Sequence, residues 1–301
     1  MISNLSAYDQ QFLTSLRHIT DRAERAQRQV STGLKLSQVS DSPDQISTLL
    51  TARANLAAAQ QVDSNLGRVK AEVDAGEQAL QSSVQLFERI RTLGAQAATG
   101  TATAAGRNTV AQEVGSVLEQ LVGLTGTQVE GRYIFSGDSD QVSPYSVDLT
   151  QATPVSAYQG SAATRLVQHP NGATFLVSHS ARDIFDSATP GNNVFANITA
   201  LRQAMLNNDT AAIQTALTGL TASGDHLNNQ LAFYGTTQNK IAEAHKFSSN
   251  LQIQLHIQLA GIEDADMSQS ILEMNQAQIQ QQAALSSRAK LPRTSLFDYL
   301  G

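Results

Sequence analysis

From Thr210 to Lys290, apolar residues recur in alternating steps of three and four: Ile213, Leu217, Leu220, Leu227, Leu231, Tyr234, Ile241, Ala244, Leu251, Leu255, Ile262, Ala265, Leu272, Ile279, Ala283. That spacing is the seam of a long helix packed against other helices. It holds for about 70 residues, or about 100 Å of unbroken helix at 1.5 Å per residue. No compact domain needs an element that long. Gln258, Gln269 and Gln276 interrupt the seam late, so its last stretch is expected to be a weaker, conditional coiled coil. The stretch reads first as part of a bundle and second as part of an assembly.

The other end of the chain answers it. Between Met1 and Val30, the residues Leu5, Phe12, Leu16, Ile19, Ala23, Ala26 and Val30 form one helical stripe, with Arg17, Asp21, Arg22, Glu24, Arg25 and Arg28 on the opposite face. A lone helix of this kind is marginal in water. It is either an ordinary bundle helix or one that folds only against a partner. Gly33 breaks the pattern, and Ser42-Pro43-Asp44-Gln45 reads as a capped helix start. The helix that follows runs to about Ala98 on a seam of Leu66, Val69, Val73, Gly76, Leu80, Phe87, Ile90 and Gly94. Gly67 and Gly76 interrupt it where Ala would be better by about 1 kcal/mol each. A third helix is expected over Arg107 to Val129.

At Glu130-Gly131 the period becomes strand-like. Short strands are expected at Tyr133 to Phe135 and at Val155 to Gln159, and a hairpin around Pro170-Asn171-Gly172. Asn193 then caps a helix over Val194 to Leu206. Helices at both ends and strands between them predict a mainly α fold. It is a long antiparallel helical bundle or coiled coil of paired N- and C-terminal segments, with a small β-rich inserted outer domain. The expected division is a terminal assembly domain (1–34 with 267–301), a rod-like bundle (35–135 with 193–266) and the β-rich lobe (136–192). Only 5% of the residues are aromatic against 41% hydrophobic overall, which suits long seams better than a large globular core.

Chemistry is scarce. The net charge of −6 leaves no electrostatic footprint for nucleic acid. The absence of cysteine removes disulfides, thiolate metal sites and cysteine nucleophiles. No run is apolar and long enough to insert in a membrane, and the first residues lack the pattern of a Sec-type leader. The six histidines show no metal-ligand spacing, and neither a phosphate-binding loop nor a nucleophile elbow is present. Asp138-x-Asp140 lacks the later ligands of a calcium loop and reads as a solvated turn. Glu263, Asp264 and Asp266 read as favourable charge at the N-terminus of a helix starting near Met267. Neither an enzyme nor a cofactor is expected.

Several motifs carry a family resemblance. Ile262-Glu263-Asp264-Ala265-Asp266 with Ala277-Gln278-Ile279-Gln280-Gln281-Gln282-Ala283 resembles the C-terminal signature of bacterial flagellins, and Val30-Ser31-Thr32-Gly33-Leu34-Lys35 resembles their N-terminal motif. The stretch from Leu86 to Leu93 resembles the flagellin helix used for protofilament contacts. Ser40-Asp41-Ser42-Pro43-Asp44, Gly131-Arg132-Tyr133-Ile134-Phe135-Ser136-Gly137 and the ending Ser295-Leu296-Phe297-Asp298-Tyr299-Leu300 are closer to the hook–filament junction branch of that superfamily.

The resemblance implies a structural subunit, exported by the flagellar type III system and assembling through its terminal helices on the extracellular flagellum. The partners it implies are further copies of itself in a ring, the adjacent hook-associated protein, the filament flagellin and an export chaperone. A compact filament flagellin and a secreted adhesin or receptor ligand touching through Arg89 are the competing readings. The residues expected at subunit contacts are Leu5, Phe12, Leu16, Ile19, Arg89, Glu113, Ile271, Leu272, Ile279 and Leu285. Arg89 turns off the Phe87–Ile90 face, and Glu113, on the next helix, is its expected acidic partner, either within the subunit or across the contact.

Overall fold

A computed structural model describes residues 7–36 and 43–290. Among the described residues seven α-helices carry the fold: α1 (Ala7–Thr32), α2 (Pro43–Ala97), α3 (Ala104–Thr125), α4 (Ala181–Phe185), α5 (Val194–Leu206), α6 (Thr210–Glu263) and α7 (Met267–Ala289). The strands are short: β1 (Gln128–Val129), β2 (Arg132–Tyr133), β3 (Leu166–Gln168) and β4 (Thr174–Leu176). The chain divides into two compact units, one of residues 1–58 and 251–301, the other of residues 59–250.

In the first unit α1 packs against α7. The pairs Arg22–Glu273, Gln29–Ser270 and Asp9–Arg288 fix the two helices as antiparallel. The chain leaves α1 through Gly33, at φ 73°, a value glycine adopts freely. Leu34 then forms an antiparallel bridge to Asp264, with Lys35 N donating to Glu263 O (2.6 Å) and Ala265 N to Gly33 O (2.9 Å). That bridge sits where α6 stops. The seam from Thr210 to Lys290 is carried by two helices, and the second starts at Met267, where the acidic cluster was expected to mark a helix N-terminus: Asp266 accepts from Ser268 N and Gln269 N as its N-cap. Beneath the bridge, Leu36, Leu49, Ala52 and Leu259 form a small core with Ile46, Leu56 and Ile262. Arg53 grips Glu263 with two hydrogen bonds, of 2.7 and 2.9 Å. That contact holds the guanidinium above its ordinary pKa, the hydrogen bond first and the carboxylate charge second.

The second unit holds the main core. The seam expected for α6 is buried there: Ile213, Leu220, Leu227, Tyr234, Ile241 and Ala244 are each at most 2% exposed. From Ile213 to Ile241 they share one core with Val73, Leu80, Phe87 and Ile90 of α2 and Val114, Leu118 and Leu121 of α3. The α3 helix ends at Thr125, earlier than expected, because β1 and β2 pair as a hairpin (Gln128↔Tyr133, Val129↔Arg132) around Glu130 and Gly131, both at positive φ. The expected 155–159 strand reduces to one bridge, Val147↔Val155. The hairpin around Asn171 is present as β3 and β4, in the register Val167↔Phe175. Arg165, beside it, reaches Glu72 of α2 at 2.6 Å.

The two helix-interrupting glycines differ. A Cβ at Gly67 would meet nothing within 4 Å, whereas one at Gly76 would lie 2.5 Å from Cε1 of Tyr234. Tyr234 is 2% exposed and meets Phe135 edge-on. Gly76 is therefore the space the ring occupies, and the expectation that Ala would improve it is corrected. Gly67→Ala should stabilise the chain by up to about 1 kcal/mol. Gly76→Ala should destabilise it, because overpacking of about 1–3 kcal/mol outweighs the helical gain. Thermal melting of the two variants checks both signs.

Candidate subunit interface

The α7 helix carries only two ionisable side chains, Glu273 and Arg288. Both are used on α1. Glu273 Oε1 accepts from Arg22 Nε at 3.0 Å, and Arg22 Nη1 reaches Gln280 Oε1 at 3.5 Å. Arg288 pairs with Asp9, and its guanidinium carbon stands 5.6 Å from the centre of the Phe12 ring, within cation–π range. Ser270 shares its one hydroxyl proton between Gln29 Oε1, at 3.1 Å, and Asp266 O, at 2.8 Å. Between these links the buried residues of α7 are small: Ser270 and Ala277.

The large aliphatic side chains of α7 are elsewhere. Successive residues turn by about 100°, which places Leu272 and Ile279 on one face, about 150° around the helix from Ala277. They are 59% and 67% exposed, and Ile271 and Leu285, on a flank, are 43% and 50% exposed. The seam traced through the sequence thus changes sides at Asp264–Asp266. It points into the packing as far as Ile262 and outward from Leu272 on. The cap at Asp266 restarts the helix with a new rotation, and a seam carried straight through that cap misses the change.

Of the other expected contact residues, Leu5 lies outside the described residues. Phe12, Leu16 and Ile19 are half-buried on the stripe of α1 that also holds Ala26, its buried residue. Arg89 of α2 and Glu113 of α3 meet within the chain at 2.5 Å, with side chains 53% and 44% exposed. A pair as exposed as that contributes about 0–1 kcal/mol. Sequence reasoning did not single out Arg22, Glu273 or Arg288 for α7. Their signal is the scarcity of charge on α7 itself: a 23-residue helix with only two ionisable side chains uses them for something specific.

Among the described residues nothing comparable to a reaction centre is assembled. An apolar groove of about 630 Å³ runs between residues 152–157 and α5. Its one ionisable lining group, Asp186, is engaged by Asn193 Nδ2 at 2.8 Å. Among the described residues no His, Asp or Glu side chains group to hold a metal, and no helix is long and apolar enough to cross a membrane.

Residues 2–140 match the family described as the bacterial flagellin N-terminal helical region, and residues 210–300 match the bacterial flagellin C-terminal helical region. No curated protein matches the chain. Among solved structures, the chain is similar to a flagellar hook-associated protein of Vibrio parahaemolyticus, at 20% identity and a TM-score of 0.66, over 74% of this chain and 100% of that one. It is similar also to the flagellar hook associated protein-3 of Legionella pneumophila (15%, 0.60, over 70% and 98%) and to FlgL of Xanthomonas campestris (16%, 0.60, over 70% and 99%). At these identities the likeness is one of fold.

Proposed function

The chain belongs to the bacterial flagellin family, whose members are structural and not enzymes, and from that premise we propose that it is the subunit that joins the flagellar hook to the filament. The observation that carries an assembly role is the outward seam of α7: four large aliphatic residues left in water along a helix whose charges are all turned the other way. Exposed aliphatic stripes of this kind mark protein–protein contacts. The terminal segments, 1–34 and 267–301, are the assembly domain in this reading, and further copies of the chain bury Ile271, Leu272, Ile279 and Leu285. An uncharged face suits a ring of identical copies, because it meets its own kind without repulsion.

The junction is favoured over the body of the filament by the motifs at Ser40–Asp44 and Gly131–Gly137, and by the small size of the β-rich insert, residues 136–192. The fold shared with hook-associated proteins along their whole length supports the same choice. The partners of the ring are then the adjacent hook-associated protein on one side and the filament flagellin on the other. The chain reaches them through the flagellar type III route, with an export chaperone, and works outside the cell without inserting in a membrane or binding nucleic acid.

Complementation tests this. A strain lacking the protein should build hooks but shed its filament flagellin into the medium, and the parent chain should restore filaments. Filaments of normal length in the null strain would contradict the proposal.

A further inference from the structure

The stripe of Phe12, Leu16 and Ile19 on α1 could be covered by either side of α7. Hydrophobic burial is non-directional, and by area it favours covering that stripe with Leu272 and Ile279 rather than with Ser270 and Ala277. The structure shows the opposite choice. Something other than apolar area sets the rotation of the helix.

We infer that the polar contacts Arg22–Glu273, Arg22–Gln280, Gln29–Ser270 and Asp9–Arg288 form a rotational lock, which holds the aliphatic side of α7 outward for a second copy of this chain. The inference rests on the assembly role proposed above. Its geometry is specific. Ser270, Glu273, Gln280 and Arg288 all project within about 60° of Ala277, given about 100° per residue. Glu273 and Arg288 are the only charges of α7, so no other rotation offers α1 an ion pair. Turning Leu272 onto α1 would carry both charges away from Arg22 and Asp9 and leave all four without these partners. Directional polar contacts that select one packing over a more apolar alternative are the same device that fixes register in coiled coils. The face left outside has the spacing of a seam, with Leu272, Gln276, Ile279 and Ala283 at alternating steps of four and three and no ionisable group among them. The second copy thus buries aliphatic and amide groups but no charge.

The chain has no cysteine, so a single introduced thiol reports its own exposure. Ala277→Cys and Ile279→Cys are made singly in the full chain, once in the parent background and once with Arg22→Ala, Gln29→Ala and Arg288→Gln, and dilute monomer is reacted with a chromogenic disulfide. In the parent background the thiol at position 279 should react about tenfold faster than that at position 277, since reactivity follows exposure. Without the lock the order should reverse. An unchanged order would overturn the inference. So would fast reaction at both positions, because the contacts would then hold the helix in place rather than choose its rotation. Equal reactivity in the parent background would overturn it as well. The assay uses monomer alone. A correct order of reactivity with no rescue of filaments would sink the junction role and leave the lock standing.

Discussion

Arg107→Met should lower the melting temperature of the chain by about 6–12 °C. Arg107 is 6% exposed. Its Nε donates to Ala97 O at 2.9 Å, Nη1 to Asn208 Oδ1 at 2.7 Å and Nη2 to Thr99 O at 3.2 Å. Ala97 is the last residue of α2, where carbonyls have no helical partner, and a cation there is favoured by the helix dipole. Asn208 is the residue at φ 55° between α5 and α6. One side chain thus closes the end of α2 and fixes the turn into α6. Hydrogen bonds to a charged group are each worth about 1.5–3 kcal/mol, and a buried carbonyl left unpaired costs more. Part of that loss is recovered by water at exposed Thr99, so about 3 kcal/mol is expected overall, with 1 kcal/mol equivalent to about 2–4 °C at this size. Arg107→Lys should recover little, because an ammonium lacks the planar fork. Differential scanning calorimetry decides it. A shift under about 2 °C would mean that water replaces the guanidinium without loss.

The double substitution Leu272→Glu with Ile279→Glu should abolish filament recovery in the complementation assay while leaving the melting of the monomer unchanged within about 0.5 kcal/mol. Both side chains already stand in water in the monomer, and glutamate is a good helix former. In the assembly each loses about 1.5–3 kcal/mol of burial, and a carboxylate in its place meets an apolar contact with no counter-charge. The loss recurs at every copy of the contact, so the effect is one of presence or absence. Normal filaments with the double variant, or a monomer that melts well below the parent, would each contradict the assignment of that face.

The architecture was written in the periodicity, and its departures have local physical causes. The seams of α2, α3 and α6 are buried where the three–four spacing puts them, at Leu66, Leu80, Phe87, Leu121 and Ile241. Asn193 caps α5 and Asp266 caps α7, as side-chain chemistry next to a helical run suggests. The rotation of α7 was not readable from spacing, because period measures repetition and not direction. A cap and a backbone bridge from Leu34 reset the phase, and the bridge comes from a segment about 230 residues away in sequence, a pairing that no local pattern encodes. Gly76 looked like a defect because its reason, Tyr234, stands on another helix. Arg107 stood in the sequence only as the start of the third helix, since burial of an arginine by carbonyl oxygens leaves no acidic partner to notice. Arg89 and Glu113 were matched by sign and spacing alone, and they meet within the chain.

The central claim is a position on the flagellum, and gold labelling of an epitope-tagged chain on intact flagella measures it directly. The tag belongs in the exposed turn between β3 and β4, at residues 170–172, where insertion is tolerated best. The proposal predicts a single cluster of label on each flagellum, at the boundary of hook and filament. Label distributed along the filament would contradict it and make the chain a compact filament flagellin.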